Sequence, residues 1–144
     1  MNKLNHKKIL EKATKANLGE IEVSQFMSSN LILLKANYTV KSTIETFRVH
    51  HISGAPIVDY QNKIIGVISE YDLLIQAASR LLSGPIDYQS KIVAIYPETT
   101  LKDVLVIFYK KKLKWVPVIN ENNYVKGVVS RIDVLNFIAT HSDL

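Results

Sequence analysis

The chain has 144 residues, of which 47% are apolar and 22% charged, with a formal net charge of +5, and this balance predicts a compact globular domain rather than a disordered chain. It has no cysteine, which excludes disulfides, thiolate zinc sites and cysteine nucleophiles. Its longest compact apolar run, Val104–Tyr109, is far shorter than the roughly 18 residues that span a bilayer, and no secretory signal opens the chain, so we expect a cytoplasmic protein that does not cross a membrane.

The first 20 residues carry most of the net charge, with five lysines and two glutamates. Their weakly amphipathic pattern up to Gly19 predicts a basic helix over residues 1–19. The other basic run is short, Lys110–Lys112 with Lys114. Solvated helical lysines are the simpler interpretation of both runs, and we do not expect nucleic-acid binding, although the N-terminal segment docking on nucleic acid or an acidic partner remains an alternative.

From residue 39 onwards the sequence repeats at a fixed offset of 61. Residues 50–59 and 64–74 align without a gap onto residues 111–120 and 125–135. The identical pairs include Pro56 and Pro117, Gly66 and Gly127, Val67 and Val128, Ser69 and Ser130, Asp72 and Asp133, and Leu74 and Leu135. The chain therefore contains two copies of one unit.

Each copy has the apolar pattern of a β-α-β-β-α unit. In the first copy, the run Leu31–Leu34 predicts a strand, and the spacings of apolar residues after Thr39 predict a helix that this threonine caps. The runs 55–58 and 64–68 predict an antiparallel strand pair, and residues 71–82 predict a closing helix. The second copy repeats the pattern with a strand at Ile92–Ile95, a helix capped by Thr100, and strands at Val116–Ile119 and Val125–Val129.

A unit of about 50 residues leaves one face of its sheet uncovered, so we expect the two copies to pack sheet against sheet with pseudo-twofold symmetry. The sequence thus predicts an α+β fold of tandem β-α-β-β-α repeats. We divide the chain into the basic helix (1–19), the first repeat with its connecting helix (20–83) and the second repeat (84–144), all in one structural module.

A Ser-x-x-Asp motif stands in each copy where the last strand meets the next helix, as Ser69–Asp72 and Ser130–Asp133. In a structural interpretation the serine caps the helix and the aspartate faces its positive end, which contributes about 1 kcal/mol. In a functional interpretation the free N–H groups of the helix bind an anion, and the carboxylate accepts two hydrogen bonds from a ribose. The recurrence of Pro, Gly, Ser and Asp at matched spacing favours the functional interpretation.

From Val23 to Ile138 the chain resembles the paired CBS domains, named after cystathionine β-synthase and also called a Bateman module. Residues 52–59, residues 66–72 and the opening Val23–Met27 are typical of this family. The second copy is less typical of the family, with Trp115 where the first copy has Gly54. The resemblance implies that the cleft between the repeats offers two sites for adenosine-containing regulatory ligands such as AMP, ADP, ATP or S-adenosylmethionine. It implies no other cofactor.

The resemblance also implies roles for single residues. Asp72 and Asp133 would bind ribose hydroxyls, and Ser69 and Ser130 would lie near phosphate. The backbone would hold the base, around Leu31, Ile32, Ile52, Ser53 and Val67 in the first site and around Ile92, Val93, Leu113, Lys114 and Val128 in the second. Lys114 would serve the Ser69/Asp72 site from the other copy and favour a more anionic ligand there. The complete set of expected ligand-binding residues is Leu31, Ile32, Ile52, Ser53, Gly54, Ala55, Pro56, Val67, Ser69, Asp72, Ile92, Val93, Leu113, Lys114, Trp115, Pro117, Val128, Ser130, Arg131 and Asp133. For Trp115, core packing is the simpler alternative to stacking on a purine.

No catalytic or metal-binding residue is expected. The adjacent His50 and His51 diverge by roughly 100° on a helix, and neither Ser69 nor Ser130 has an obvious base beside it. No glycine-rich phosphate loop is present in the sequence. We therefore expect a non-catalytic module that senses an adenine nucleotide or related molecule and regulates an unknown protein.

The alternative is a ligand-independent dimerisation or protein-interaction scaffold of the same fold. For both functions we expect a homodimer, because the family resemblance is joined by apolar helical surface that one small domain does not fully cover. This surface comprises Leu73, Leu74, Ile75, Leu81 and Leu82.

Overall fold

The computed structural model describes residues 18–79 and 81–141, so the predicted helix over residues 1–19 lies almost entirely outside the described residues. Helices and strands alternate as the repeated pattern predicts, which confirms an α+β fold of tandem repeats. The elements are β1 (Leu34–Lys35), α1 (Val40–His50), β2 (Gly54–Val58), β3 (Ile64–Ser69), α2 (Glu70–Ser79), α3 (Leu101–Lys111), β4 (Trp115–Ile119), β5 (Val125–Ser130) and α4 (Arg131–His141), preceded by 3₁₀ turns at Leu18–Glu20 and Val23–Gln25. None of the described helices has the length and apolar character needed to span a bilayer.

The first repeat forms a three-stranded sheet in the order β1-β2-β3. Strand β1 runs parallel to β2, whereas β2 and β3 are antiparallel, with Gly54 opposite Ser69 and Pro56 opposite Val67. The predicted antiparallel pair is therefore confirmed. Strands β4 and β5 are paired in a second sheet.

The strands predicted at the start of each repeat are much shorter than expected. Of the run Leu31–Leu34, only Leu34 belongs to β1, where it pairs with Ile57. Of the run Ile92–Ile95, only Ile95 forms a bridge, to Val118. Both apolar runs are partly or fully buried, but only the last residue of each run pairs with a neighbouring strand. The closing helix of the first repeat is also shorter than predicted, because α2 ends at Ser79 and the chain turns at residues 82 and 83.

Helix ends repeat with the same offset as the sequence. Thr39 and Thr100 are the N-caps that we predicted, since their Oγ1 atoms accept hydrogen bonds from the backbone N–H groups of Ser42 and Asp103 at 3.0 and 3.3 Å. At the other ends, His51 and Lys112 adopt the left-handed conformation, with φ of 53° and 54°. The helices of the two copies thus begin and end with equivalent caps, at positions that keep the offset of 61.

By their contacts, the described residues form two compact units. The first unit contains residues 31–79, 81–93 and 121–125, and the second contains residues 18–30, 94–120 and 126–141. Residues 20–30 therefore pack with the main elements of the second repeat, and residues 84–93 pack with those of the first. The boundaries that we predicted after residues 19 and 83 follow the sequence repeat and stay a prediction, while the contacts group the opening segments differently.

In the first unit, residues 84–89 are held by backbone hydrogen bonds. The N–H of Val40 donates to the carbonyl of Gly84 at 2.9 Å, and the N–H of Ile86 donates to Tyr38 at 3.0 Å. Val67 and Gln89 each donate to the other at 2.9 Å. Segment 84–89 is thereby fixed against both α1 and β3.

In the second unit, residues 21–28 are held in the same way. The N–H of Val23 donates to Thr99 at 2.8 Å, and Ser28 and Val128 each donate to the other at 2.9 Å. Ser28 and Gln89 keep the offset of 61, whereas Val23 and Ile86, which donate to equivalent carbonyls, are 63 residues apart. Between these equivalent hydrogen bonds, segment 21–28 therefore has two more residues than segment 84–89. The 3₁₀ turn Val23–Gln25 accommodates them.

Apolar side chains form the interior of each unit, and full burial of a Val, Leu, Ile or Phe side chain stabilises the fold by about 1.5 to 3 kcal/mol. In the first unit the buried cluster is Leu34, Val40, Phe47, Ala55, Ile57, Ile68, Leu73 and Ile86. In the second unit the buried apolar residues include Val23, Ile95, Leu101, Val104, Phe108, Val116, Val118, Val129 and Val134. In both units the last strand and the following helix each contribute to this interior, which fixes the junction between them.

Candidate functional site

At the β3–α2 junction, Ser69 and Asp72 bind each other. The backbone N–H of Ser69 and its hydroxyl donate to Oδ2 of Asp72 at 2.9 and 3.0 Å. In return, the backbone N–H of Asp72 donates to Oγ of Ser69 at 3.2 Å. This is a reciprocal capping box at the start of α2, and it holds the half-buried carboxylate of Asp72 in one orientation.

The β5–α4 junction has the same geometry. The N–H of Ser130 donates to Oδ2 of Asp133 at 2.9 Å, and the N–H of Asp133 donates to Oγ of Ser130 at 3.1 Å. The structural interpretation of the Ser-x-x-Asp motif is therefore realised at both junctions. It is compatible with the functional one, because the capping box uses Oδ2 and leaves Oδ1 of each aspartate for a further donor.

At the first junction that further donor is Gln89, a residue that the sequence analysis missed. Its side-chain Nε2 lies 3.1 Å from Oδ1 and 3.4 Å from Oδ2 of Asp72. The offset of 61 places Ser28 at the equivalent position, and within the described part of the chain no hydrogen bond joins Ser28 to Asp133. The two junctions thus differ in what contacts their carboxylates.

The residues that precede β2 and β4, Ser53 and Lys114, are hydrogen-bonded through their backbone to the helix that starts at the junction of the same unit. The N–H of Glu70 donates to the carbonyl of Ser53 at 2.8 Å, and the N–H of Arg131 donates to the carbonyl of Lys114 at 3.0 Å. This shared bond brings an acidic residue beside the first junction and two basic residues beside the second. The predicted reach of Lys114 to Ser69 and Asp72 concerns the relation between the two units and stays a prediction.

The other expected ligand-binding residues lie on the same elements. In the first unit, Leu31 and Ile32 precede β1, Ile52 precedes β2, Gly54, Ala55 and Pro56 belong to β2, and Val67 belongs to β3. In the second unit, Leu113 precedes β4, Trp115 and Pro117 belong to β4, and Val128 belongs to β5. Ile92 and Val93, which we expected at the second junction, are grouped with the first unit. Because the side chains of Ala55, Pro56 and Pro117 are buried, these residues can offer a ligand little besides their backbone.

A buried glutamine positions the segment that carries Gln89. Gln76 on α2 is 6% exposed, and its Nε2 donates to the carbonyl of Asp87 at 2.8 Å while its Oε1 accepts from the N–H of Asp87 at 2.8 Å. In the second unit the corresponding residues are Phe26 and Phe137, whose rings stack with centroids 4.7 Å apart. A polar clamp in one unit is therefore replaced by an aromatic pair in the other.

The described residues contain no group of three or more His, Asp or Glu side chains that could hold a metal ion. His50 ends α1 and His51 follows it in the left-handed conformation.

A family model for the CBS domain matches the chain twice, at residues 23–79 and 86–140. Among curated proteins, a 17.7 kDa protein of Acidianus ambivalens is 27% identical over 115 residues, which cover 78% of this chain and 70% of that protein. The chain spans less than half of other relatives: protein MJ1225 of Methanocaldococcus jannaschii is 28% identical over 121 residues, which cover 82% of this chain but 43% of that protein.

Solved structures of CBS domain pairs share the fold. The CBS domain pair of protein MJ0100, in complex with 5′-methylthioadenosine and S-adenosyl-L-methionine, has a TM-score of 0.75 at 20% identity, covering 83% of this chain and 97% of that one. CBSX2, in complex with AMP, has a TM-score of 0.73 at 20% identity, covering 83% of this chain and 96% of that one.

Proposed function

Because the chain belongs to the CBS domain family, we propose that it is a non-catalytic regulatory module in which the two Ser-x-x-Asp junctions bind an adenosine-containing ligand. AMP, ADP, ATP and S-adenosylmethionine are the candidates. The observation that carries the proposal is the fixed orientation of both aspartates, with one carboxylate oxygen held by the capping box at each helix start. Structural relatives in complex with AMP or S-adenosyl-L-methionine support this choice of ligand class.

The chemistry of each junction suits a nucleoside with a phosphate or a similar group. A carboxylate held by its own helix can accept hydrogen bonds from two ribose hydroxyls without further ordering of the side chain, which reduces the entropic cost of binding. The first turn of the helix offers partial positive charge to an anionic group. Arg131, the first residue of α4, adds full positive charge at the second junction, and Lys114 would add positive charge at the first junction from the other repeat.

The remaining expected ligand-binding residues keep their proposed roles, with the backbone of residues 31, 32, 52 and 53 beside the base at the first junction. We further propose that the ligand changes the module's interaction with a separate protein in the cytoplasm. A regulatory ligand can do so to the extent that it binds two conformations with different affinity.

Thermal melting with the candidate ligands tests this function. A ligand that binds only the folded protein, at about 100 times its Kd, stabilises it by about 2.7 kcal/mol, so the Tm should rise by several degrees. Asp72→Ala and Asp133→Ala should each lower affinity at one junction by roughly ten- to a hundredfold in calorimetry, since each removes hydrogen bonds to a charged acceptor. The double variant should not bind.

Asp103→Ala is the matched control, because Asp103 lies in the first turn of α3 and outside both junctions. It should bind like the wild type. A double variant that binds as tightly as the wild type would overturn the proposed role of the junctions. Absence of any Tm shift with every candidate would favour the second function, a ligand-independent scaffold.

A homodimer is our proposal for the assembly, since both helices that follow the junctions expose apolar side chains. Leu73, which we expected on this surface, is buried in the interior of the first unit because it faces the sheet. On α2, Tyr71 and Leu74 are 67% and 65% exposed, and on α4 the corresponding Ile132 and Leu135 are 59% and 60% exposed. Leu74→Glu and Leu135→Glu should each shift the mass from dimer towards monomer in light scattering, because a charge would have to be buried in the interface. Tyr60→Glu, at the exposed loop between β2 and β3, should leave the mass unchanged. A monomeric wild type at micromolar concentration would contradict the proposal.

A further inference from the structure

The carboxylate of Asp72 is contacted by a side-chain amide of the protein itself, while among residues 18–79 and 81–141 no side-chain amide contacts that of Asp133. We propose that Gln89 competes with the ligand for Asp72 and so makes the first junction the weaker of the two. This inference rests on the proposed function, because it concerns the affinity of the same two aspartates. Gln89 would thereby set the affinity of the first junction for its ligand.

The position of Gln89 is fixed by its backbone. Its N–H and carbonyl both bond to Val67 at 2.9 Å, and Val67 lies two residues before Ser69 on the same strand. This close approach requires Gly66, because a Cβ atom there would lie 2.7 Å from the carbonyl oxygen of Gln89. The clamp between Gln76 and Asp87 fixes the chain two residues earlier. The backbone that carries the Gln89 side chain is therefore held beside Asp72 by several independent contacts.

The second unit has the same backbone arrangement with a different side chain. Ser28 bonds twice to Val128, beside Gly127, just as Gln89 bonds to Val67 beside Gly66. The serine side chain lacks the one further methylene group and the carbonyl group that carry the donor of glutamine to the carboxylate. The difference between the junctions therefore lies in the side chains at positions 28 and 89.

Competition follows from the chemistry of ribose recognition. The capping box leaves Oδ1 of each aspartate for the ribose hydroxyls, and Nε2 of Gln89 lies 3.1 Å from Oδ1 of Asp72. A ligand must displace this amide at the first junction, whereas no side-chain amide of the described residues contacts Asp133 at the second junction. An exposed hydrogen bond to a carboxylate corresponds to a factor of about three to ten in affinity.

Exchange of the two side chains tests the inference. AMP binding is measured by calorimetry in two backgrounds, Asp133→Ala, which retains the first junction, and Asp72→Ala, which retains the second. In the first background, Gln89→Ser should tighten AMP binding by about three- to tenfold. In the second background, Ser28→Gln should weaken it by a similar factor. Gln61→Ser, in the exposed loop after β2, is the control and should change neither affinity.

The outcomes separate the inference from the function on which it rests. If AMP binds and Gln89→Ser leaves the affinity unchanged, the amide does not compete and the inference is wrong. If Gln89→Ser weakens binding, Gln89 contacts the ligand instead, which also overturns the inference. If the wild type binds none of the candidate adenine compounds, the proposed function fails first. Melting curves of each variant, compared with its parent background, establish that the exchanged side chains do not unfold the junction.

Discussion

Gly66→Ala should lower the free energy of unfolding by about 2 to 4 kcal/mol, which corresponds to a Tm lower by about 10 °C. The new Cβ would overlap the ring of Tyr88 and lie 2.7 Å from the carbonyl oxygen of Gln89. The ring can rotate, but the carbonyl can retreat only by breaking the paired hydrogen bonds between Val67 and Gln89. The loss therefore combines overpacking with broken backbone bonds, and chemical denaturation measures it.

Gly127→Ala and Gly84→Ala are matched comparisons for this prediction. At Gly127 the nearest atom is the flexible Sδ of Met27, at 2.8 Å, with the carbonyl of Ser28 at 2.9 Å, so the loss should be smaller than at Gly66. At Gly84 the nearest atom is the carbonyl of Leu81, at 3.3 Å, and the change should be within about 1 kcal/mol. Equal free energies of unfolding for all three variants would show that the close approach of segment 84–89 to β3 does not restrict the residue at position 66.

Gln76→Leu should destabilise the protein by about 2 to 3 kcal/mol, although it replaces a buried polar side chain with an apolar one of similar size. Leucine leaves both the N–H and the carbonyl of Asp87 without the partners they have at 2.8 Å. Gln61→Leu, at an exposed loop position, should be nearly neutral. A Gln76→Leu variant as stable as the wild type would show that water or a shifted backbone satisfies Asp87 equally well.

Gln76→Glu refines the same measurement, since glutamate has the shape of glutamine but loses a donor when it ionises. The introduced carboxyl can donate to the carbonyl of Asp87 only while it carries a proton, so folding favours its protonated form. Relative to the wild type, this variant should therefore be less stable at about pH 8 than at about pH 5. A stability difference that does not change with pH would contradict the assigned hydrogen bond.

The sequence repeat predicted the local structure well, for local physical reasons. Thr39 and Thr100 could be recognised as N-caps because a threonine before an amphipathic run has few other interpretations. The antiparallel pair β2–β3 could be recognised from two β-branched runs joined by a polar loop. The capping boxes at Ser69 and Ser130 were equally visible, since their partners lie three residues away.

Contacts distant in sequence could not be predicted from that repeat. Gln89 and Ser28 have unlike side chains, so aligning the two copies gave no reason to compare them. Gln89 lies 17 residues from Asp72, and the hydrogen bond between them depends on how segment 84–89 lies along β3. Gln76 and Asp87 are joined by hydrogen bonds, whereas the equivalent Phe137 and Phe26 are joined by ring stacking. The equivalent positions are in contact in both units, but the type of contact differs.

The grouping of residues 21–28 with the second repeat has a consequence for synthesis on the ribosome. The N–H of Val23 donates to the carbonyl of Thr99, and Ser28 pairs with Val128, so this segment emerges long before its partners. At about 5 to 20 residues added per second, it waits several seconds without its native hydrogen bonds. Residues 84–89, in contrast, emerge after most of the elements that bind them. Segment 21–28 should therefore form its native hydrogen bonds much later in synthesis, relative to its own emergence, than segment 84–89 does.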